Sequence, residues 1–185
     1  QGERPVETLS AGDLVLNKDG VPVRLLWKAR RHIPGADLRS SPALRPVCIP
    51  RGAMGRQMPH SDLYLSPQHR VLVSHGRNAL HFGYEAVLIP AKFLIGSLAH
   101  ESCPAEGITY YHLLFEQHEI ILSNGLETES YQPSLRALGG MEEDARLDFM
   151  AEIPRDWRRK LMFREDAYYS VKSYEAPLVA LPQPA

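Results

Sequence analysis

One stretch, Tyr64-Leu-Ser-Pro-Gln-His-Arg-Val-Leu-Val73, limits what this chain can fold into more than any other. Two short runs of strand formers, Leu63 to Leu65 and Val71 to Val73, flank Ser66, Pro67 and His69. Pro67 has no N–H for a ladder, so the segment between the runs leaves the regular sheet. A histidine is thereby held at a strand end, where a backbone scaffold can aim it. A second stretch answers the first. Thr109 to Gly125 carries His112 and His118 with two strand-like runs that close on the Asn124-Gly125 turn.

The rest of the first two thirds of the chain repeats this alternation of short apolar runs and turns. Gly12 to Leu16 and Val21 to Ala29 read as a hairpin about Asn17-Lys-Asp-Gly20, with Trp27 on one face. Arg30 to Ser41 reads as a basic, exposed loop or strand edge, Pro46 to Pro50 as a strand, and Arg51 to His60 as a surface loop. Beyond the turn His75-Gly-Arg-Asn78, Leu80 to Phe82 and Tyr84 to Ile89 are predicted strands. Pro90 to Ile95 is a predicted helical turn that packs Phe93 and Leu94 inward. A polar loop, Ala99 to Gly107, precedes strands over Ile108 to Phe115 and Glu119 to Ser123. From Pro133 the pattern turns helical. Leu147, Met150, Trp157 and Leu161 belong to an apolar stripe over Met141 to Phe163 that is expected to pack on the β domain. The expectation is a mainly antiparallel β domain over residues 1–130 with a helical C-terminal appendage over 131–185.

Composition narrows the function classes. Of 185 residues, 44% are hydrophobic, enough for a real core. A net charge of −1 offers no electrostatic case for nucleic acid or an anionic membrane, and no apolar run approaches the ~20 residues needed to span a bilayer. No signal-peptide pattern stands at the N-terminus. The two cysteines, Cys48 in a strand-like run and Cys103 in a polar loop, form no CxxC motif, and whether they bridge is open. Neither a cofactor nor a metal is implied.

Four blocks, in order, resemble the Hint superfamily shared by hedgehog autoprocessing domains and inteins, with the bacterial branch the nearer likeness. Gly2 to Val15 is similar to the segment after that family's first strand. Asp62 to His69 is similar to its Thr-x-x-His block, with Ser66 in the Thr place. Tyr84 to Leu94 is similar to the strand and turn that follow, and Tyr111-His-Leu with His118 to Gly125 to the penultimate block. The resemblance implies a Hint-like antiparallel β fold built as a pseudo-twofold pair of hairpin subdomains.

The resemblance also implies a chemistry. A Cys or Ser at the first position attacks the preceding carbonyl and converts an amide to a thioester or ester. His69 then protonates the departing amide nitrogen, Ser66 helps hold the scissile peptide, and His112 stands where many inteins carry an aspartate. His118 is a further candidate. The nucleophile is expected about ten residues upstream of Gln1, roughly a long strand's length, which makes an upstream segment of the chain's own precursor the partner. Inteins close with His-Asn, but here Glu129 and Ser130 hold those places. Ser130 has no carboxamide to cyclise, so cleavage without splicing is implied, in a bacterial protein that is cytoplasmic or secreted. Two alternatives stand beside this. One is a Hint-fold binding or structural module that has lost its chemistry. The other is a metal-dependent hydrolase using His60, His69, His112 and His118, although His112-x5-His118 is not a recognised ligand pattern.

Overall fold

The hairpin about Asn17 starts the fold. The Asn17 side-chain oxygen accepts the N–H groups of Asp19 and Val21 at 3.1 and 3.0 Å, and Gly20 takes a φ of 75°. These bonds close strand β1 (Leu14–Leu16) on β2 (Pro22–Arg24). The computed structural model describes residues 2–132 and 165–182. The residues on which a helical stripe is expected, 141–163, lie outside those described.

Strand β3 (Trp27–Ile33) and a short helix α1 (Gly35–Ser40) occupy the region expected to be loop or strand edge. The run is a strand because it has a full-length partner. It pairs antiparallel with β9 (Ile108–Leu114) from Trp27↔Leu114 to Ile33↔Ile108. Between them in sequence come β4 (Val47–Ile49), β5 (Leu63–Leu65), β6 (Arg70–Ser74), β7 (Ala86–Pro90) and β8 (His100–Glu101). β4 lies between β5 and β8 in a three-stranded sheet, and Cys48 is buried there. Both cysteines are free thiols.

The larger sheet has the order β10-β11-β6-β7-β12, where β10 is Ile120–Ser123, β11 is Leu126–Glu129 and β12 is Tyr169–Ser170. Its pairings are antiparallel except β7 with β12, which is parallel. The mainly β, antiparallel expectation therefore holds. Asn124 and Gly125, with φ of 50° and 80°, form the turn expected of an Asn-Gly pair in a two-residue hairpin. The continuation of that turn into β11 was not legible, because Leu-Glu-Thr-Glu alternates only weakly in polarity.

Leu80 to Phe82 is helical, not extended as predicted. It belongs to α2 (Asn78–Phe82), which ends on Gly83 in the left-handed conformation. The reason is Asn78. Its buried amide donates to the carbonyls of Val73 and Glu85 and its oxygen accepts the N–H of Ala180, so it ties the strand connection into a tight turn. Leu80 points to solvent, 81% exposed, so its apolar character misled the strand reading. The expected turn after Pro90 is present as a 3-10 segment, Ala91–Leu94, with Leu94 fully buried and Phe93 packed against the core.

The main core joins Val47, Ile49, Leu63, Leu65, Val71, Val73, Val87 and Ile89 with Val171 and Val179 from the far end of the chain. Two glycines, one in the β1–β2 turn and one ahead of β9, test how tightly loops approach. A Cβ on Gly107 would fall 2.3 Å from the Ile33 carbonyl oxygen, at a φ of 93°. Gly20 has a φ of 75° but open space around it. Gly20→Ala is expected to cost about 1 kcal/mol, the strain of the left-handed backbone alone. Gly107→Ala is expected to cost about 2–4 kcal/mol, because a backbone carbonyl must also move. Urea unfolding of the two variants checks the difference.

Candidate functional site

The site lies where β6 begins, β11 ends and β9 runs past both. Val71 pairs with Thr128, so the register places Arg70 opposite Glu129 and His69 opposite Ser130. The backbone of His69 is fixed on both sides. Its N–H donates to the Ser66 carbonyl at 3.0 Å, and its carbonyl accepts the Ala91 N–H at 2.8 Å. The Pro67 carbonyl takes the Lys92 N–H at 3.0 Å, which seats the turn on the 3-10 segment. Pro67 thus does what its chemistry demands: it takes no place as a donor but anchors through its carbonyl.

The ring of His69 is held deep in the junction. Its Nε2 is sealed from solvent and has no hydrogen-bond partner among the described residues. Burial pushes its pKa below the usual histidine value, and the pull of Glu129 does not outweigh that. His112, on β9 opposite Ala29, is held down to about 4, first by burial and then by the nearby His69 and Arg31. Its ring lies 4.7 Å from that of Tyr131, tilted by 58°. At neutral pH both rings are therefore uncharged.

His118 stands just ahead of β10 and is fully buried at its side chain. Ala167 donates its N–H to Nδ1 at 2.9 Å, which leaves the ring proton on Nε2, 3.1 Å from Glu129 Oε2. Asp166 Oδ1 is 3.7 Å from Nδ1, too far for a hydrogen bond.

Glu129 gathers the cluster. It accepts the Arg70 backbone N–H at 2.7 Å, the Arg70 Nε–H at 2.6 Å and the His118 proton. Burial pushes its carboxyl up, but the bonds from His118 and Arg70 and the guanidinium charge hold it below the usual carboxylate value. The other edge of the guanidinium meets Asp166, with Nη1 2.5 Å from Oδ2 and Nη2 3.2 Å from Oδ1, and also donates to Ser170. Ser170 in turn donates to Asp166 Oδ2 at 2.6 Å. Asp166 is likewise held low: burial raises it, and Arg70 and Ser170 outweigh that.

Of the four residues expected from sequence, His69, His112 and His118 are brought to this junction. Ser66 lies in the turn before His69, and its hydroxyl has no hydrogen-bond partner among the described residues. Arg70, Glu129, Asp166 and Ser170 were not singled out. Arg70 follows His69 directly and Glu129 was noted only for where it stands, so a charge-pairing argument from an antiparallel β6–β11 register could have found both. Nothing local marks Asp166. His60 stands apart. It is bound to Glu3 at 2.6 Å, and its N–H donates to the Asn124 carbonyl at the turn end of the β10–β11 hairpin, opposite the end that carries His118 and Glu129. Among the described residues no group of three or more His, Cys, Asp or Glu side chains is placed to hold a metal ion. Nor is any described helix long and apolar enough to cross a membrane.

A family model described as a Hint domain matches residues 1–135. No curated protein and no solved structure gives a significant match.

Two outcomes follow from the electrostatics. Arg70→Met leaves the buried carboxylate of Glu129 without its cation and is expected to destabilise the fold by about 3–5 kcal/mol in denaturant unfolding. The second concerns acid. His69 and His112 are held below the unfolded value, so the unfolded chain binds more protons in acid. For His112 that stability is fully present above about 6.5 and is lost as pH falls toward about 4; His69 acts in the same direction. The His112 share is about 2–3 kcal/mol, allowing for its partial exposure. His112→Gln is expected to flatten that part of the slope when urea midpoints are measured across the window.

Proposed function

The chain belongs to the Hint domain family, and from that premise we propose that it is a self-processing module. Joined to an upstream strand carrying a Cys or Ser, it cleaves the peptide bond before that residue by an acyl shift and does not splice. The observation that carries this reading is the Nε2 of His69. A buried polar atom without a partner costs about 1–3 kcal/mol, and one that persists calls for a reason. A neutral imidazole whose lone pair faces a reacting group supplies that reason.

The step balances as follows. The thiol or hydroxyl of the upstream nucleophile gives its proton to His69, and its sulfur or oxygen bonds to the carbonyl carbon of the preceding residue. The tetrahedral carbon then expels the amide nitrogen, which takes the proton back from His69. The C–N bond breaks, leaving a thioester or ester and a free α-amine. A second nucleophile, water or an added thiol, completes release. Ser66 orients the peptide in this scheme, and His112, kept neutral, adds no charge to oppose protonation of His69 as the proton passes. A C-terminal cleavage has no support, because Ser130 carries no carboxamide. Its hydroxyl is taken up in accepting the Glu119 N–H at 2.9 Å.

A precursor with the upstream strand and its Cys is expected to cleave when thiol is added. His69→Ala is expected to slow cleavage by about 10²–10⁴-fold, and Ser66→Ala by far less, since it removes one hydrogen bond worth roughly 0.5–1.5 kcal/mol. Because burial lowers the His69 pKa, the acid limb of the rate profile is expected below the usual histidine value. Gel-resolved cleavage rates across pH decide this. A parent rate in His69→Ala makes His69 a packing residue, and a precursor that never cleaves makes the domain an inert scaffold.

A further inference from the structure

The family match ends at residue 135, yet the charged junction beside His69 is not complete without residues 165–182. That segment is part of the folded unit. β12 adds to the edge of β7, Val171 and Val179 are buried in the main core, and the Ala180 N–H is bound by Asn78. Its first residues reach the site itself. Asp166 and Ser170 take the outer edge of the Arg70 guanidinium, and the Ala167 N–H caps Nδ1 of His118.

We propose that residues 166–170 form a clip that positions the site: Ala167 fixes the tautomer of His118, and Asp166 fixes the fork of Arg70. This rests on the self-processing reading for its consequence, but the clip itself does not. Without the Ala167 N–H, neutral His118 can carry its proton on either nitrogen. Only the Nε2–H form can donate to Glu129. Glu129 in turn holds the Arg70 backbone N–H at 2.7 Å, one peptide from His69. Asp166 does a parallel task from the other side. It takes Nη1 and Nη2 together, so the guanidinium plane cannot swing, and Nε stays on Glu129 at 2.6 Å. Asp166, Ala167 and Ser170 are thus positioning residues: they act through His118, Glu129 and Arg70 on the backbone that carries His69.

Two measurements test the clip, and they fail separately. The first uses the chain as it is. Two-dimensional ¹H–¹⁵N NMR of the imidazoles is expected to show His118 as the single Nε2–H tautomer, and Ala167→Pro, which removes the donor, is expected to give a mixture. A mixture in the parent, or a pure Nε2–H form in a folded Ala167→Pro, overturns the proposal. Asp166→Asn gives the second reading with less risk to folding, since it keeps shape and removes charge. In a cleaving precursor it is expected to slow cleavage about 10–100-fold, the scale of losing an outer partner that orients a functional side chain, as at metal sites, with its β-sheet signature retained. Cleavage at the parent rate by that variant overturns the role of Asp166. A parent precursor that does not cleave at all counts against self-processing, while the His118 tautomer still decides the clip.

Discussion

The guanidinium of Arg70 is the interaction on which the junction depends. It is 15% exposed, and its two carboxylate partners come from positions 59 and 96 residues further along the chain. A buried ion cluster is weak evidence for stability, because well-packed apolar side chains of the same volume often do as well. What apolar side chains do not supply is register. Slipping β11 by one residue against β6 would turn Glu129 to the other face and leave Arg70 and His118 without it. The penalty for an unpaired buried charge is large, so the cluster discriminates against the slip far more sharply than Thr128 and Val71 alone would. The same bonds that select the register also decide what stands beside His69.

How much of this could be read from sequence follows from how local each determinant is. The Asn17 hairpin and the Asn124-Gly125 turn are specified by residues within a few positions of one another, so both were legible. The β6 strand and the turn before it were legible for the same reason, since Pro67 and the flanking valines act locally. Leu80 to Phe82 failed because its conformation is set by Asn78 reaching Val73, Glu85 and Ala180, the last of them far away in sequence. β3 was read too short because what makes Arg30 to His32 extended is β9, whose seven residues it matches. Three histidines could be singled out because their residue type is rare and their blocks match a family pattern. Asp166 could not, because an aspartate among polar residues acquires meaning only when a fold brings Arg70 to it.

At the end of β11 the chain departs from the family pattern. Where the family resemblance sets a reactive His-Asn pair, this chain has Glu129 and Ser130. Both are buried and bound by the scaffold: Glu129 to Arg70 and His118, Ser130 to both the carbonyl and the N–H of Glu119.

The same accounting separates His69 from its neighbours. His118 has both ring nitrogens occupied, by Ala167 and by Glu129. Ser130, Ser170 and Asn78 are likewise bound. The Nε2 of His69 is different: it is sealed from water and, among the described residues, has no hydrogen-bond partner. Protonation would be the usual remedy for an unpartnered imidazole nitrogen, but burial and the neighbouring Arg70 and His118 oppose the charge. The ring is thus held neutral on a backbone fixed at both the N–H and the carbonyl of His69, the state that the proposed self-processing step requires.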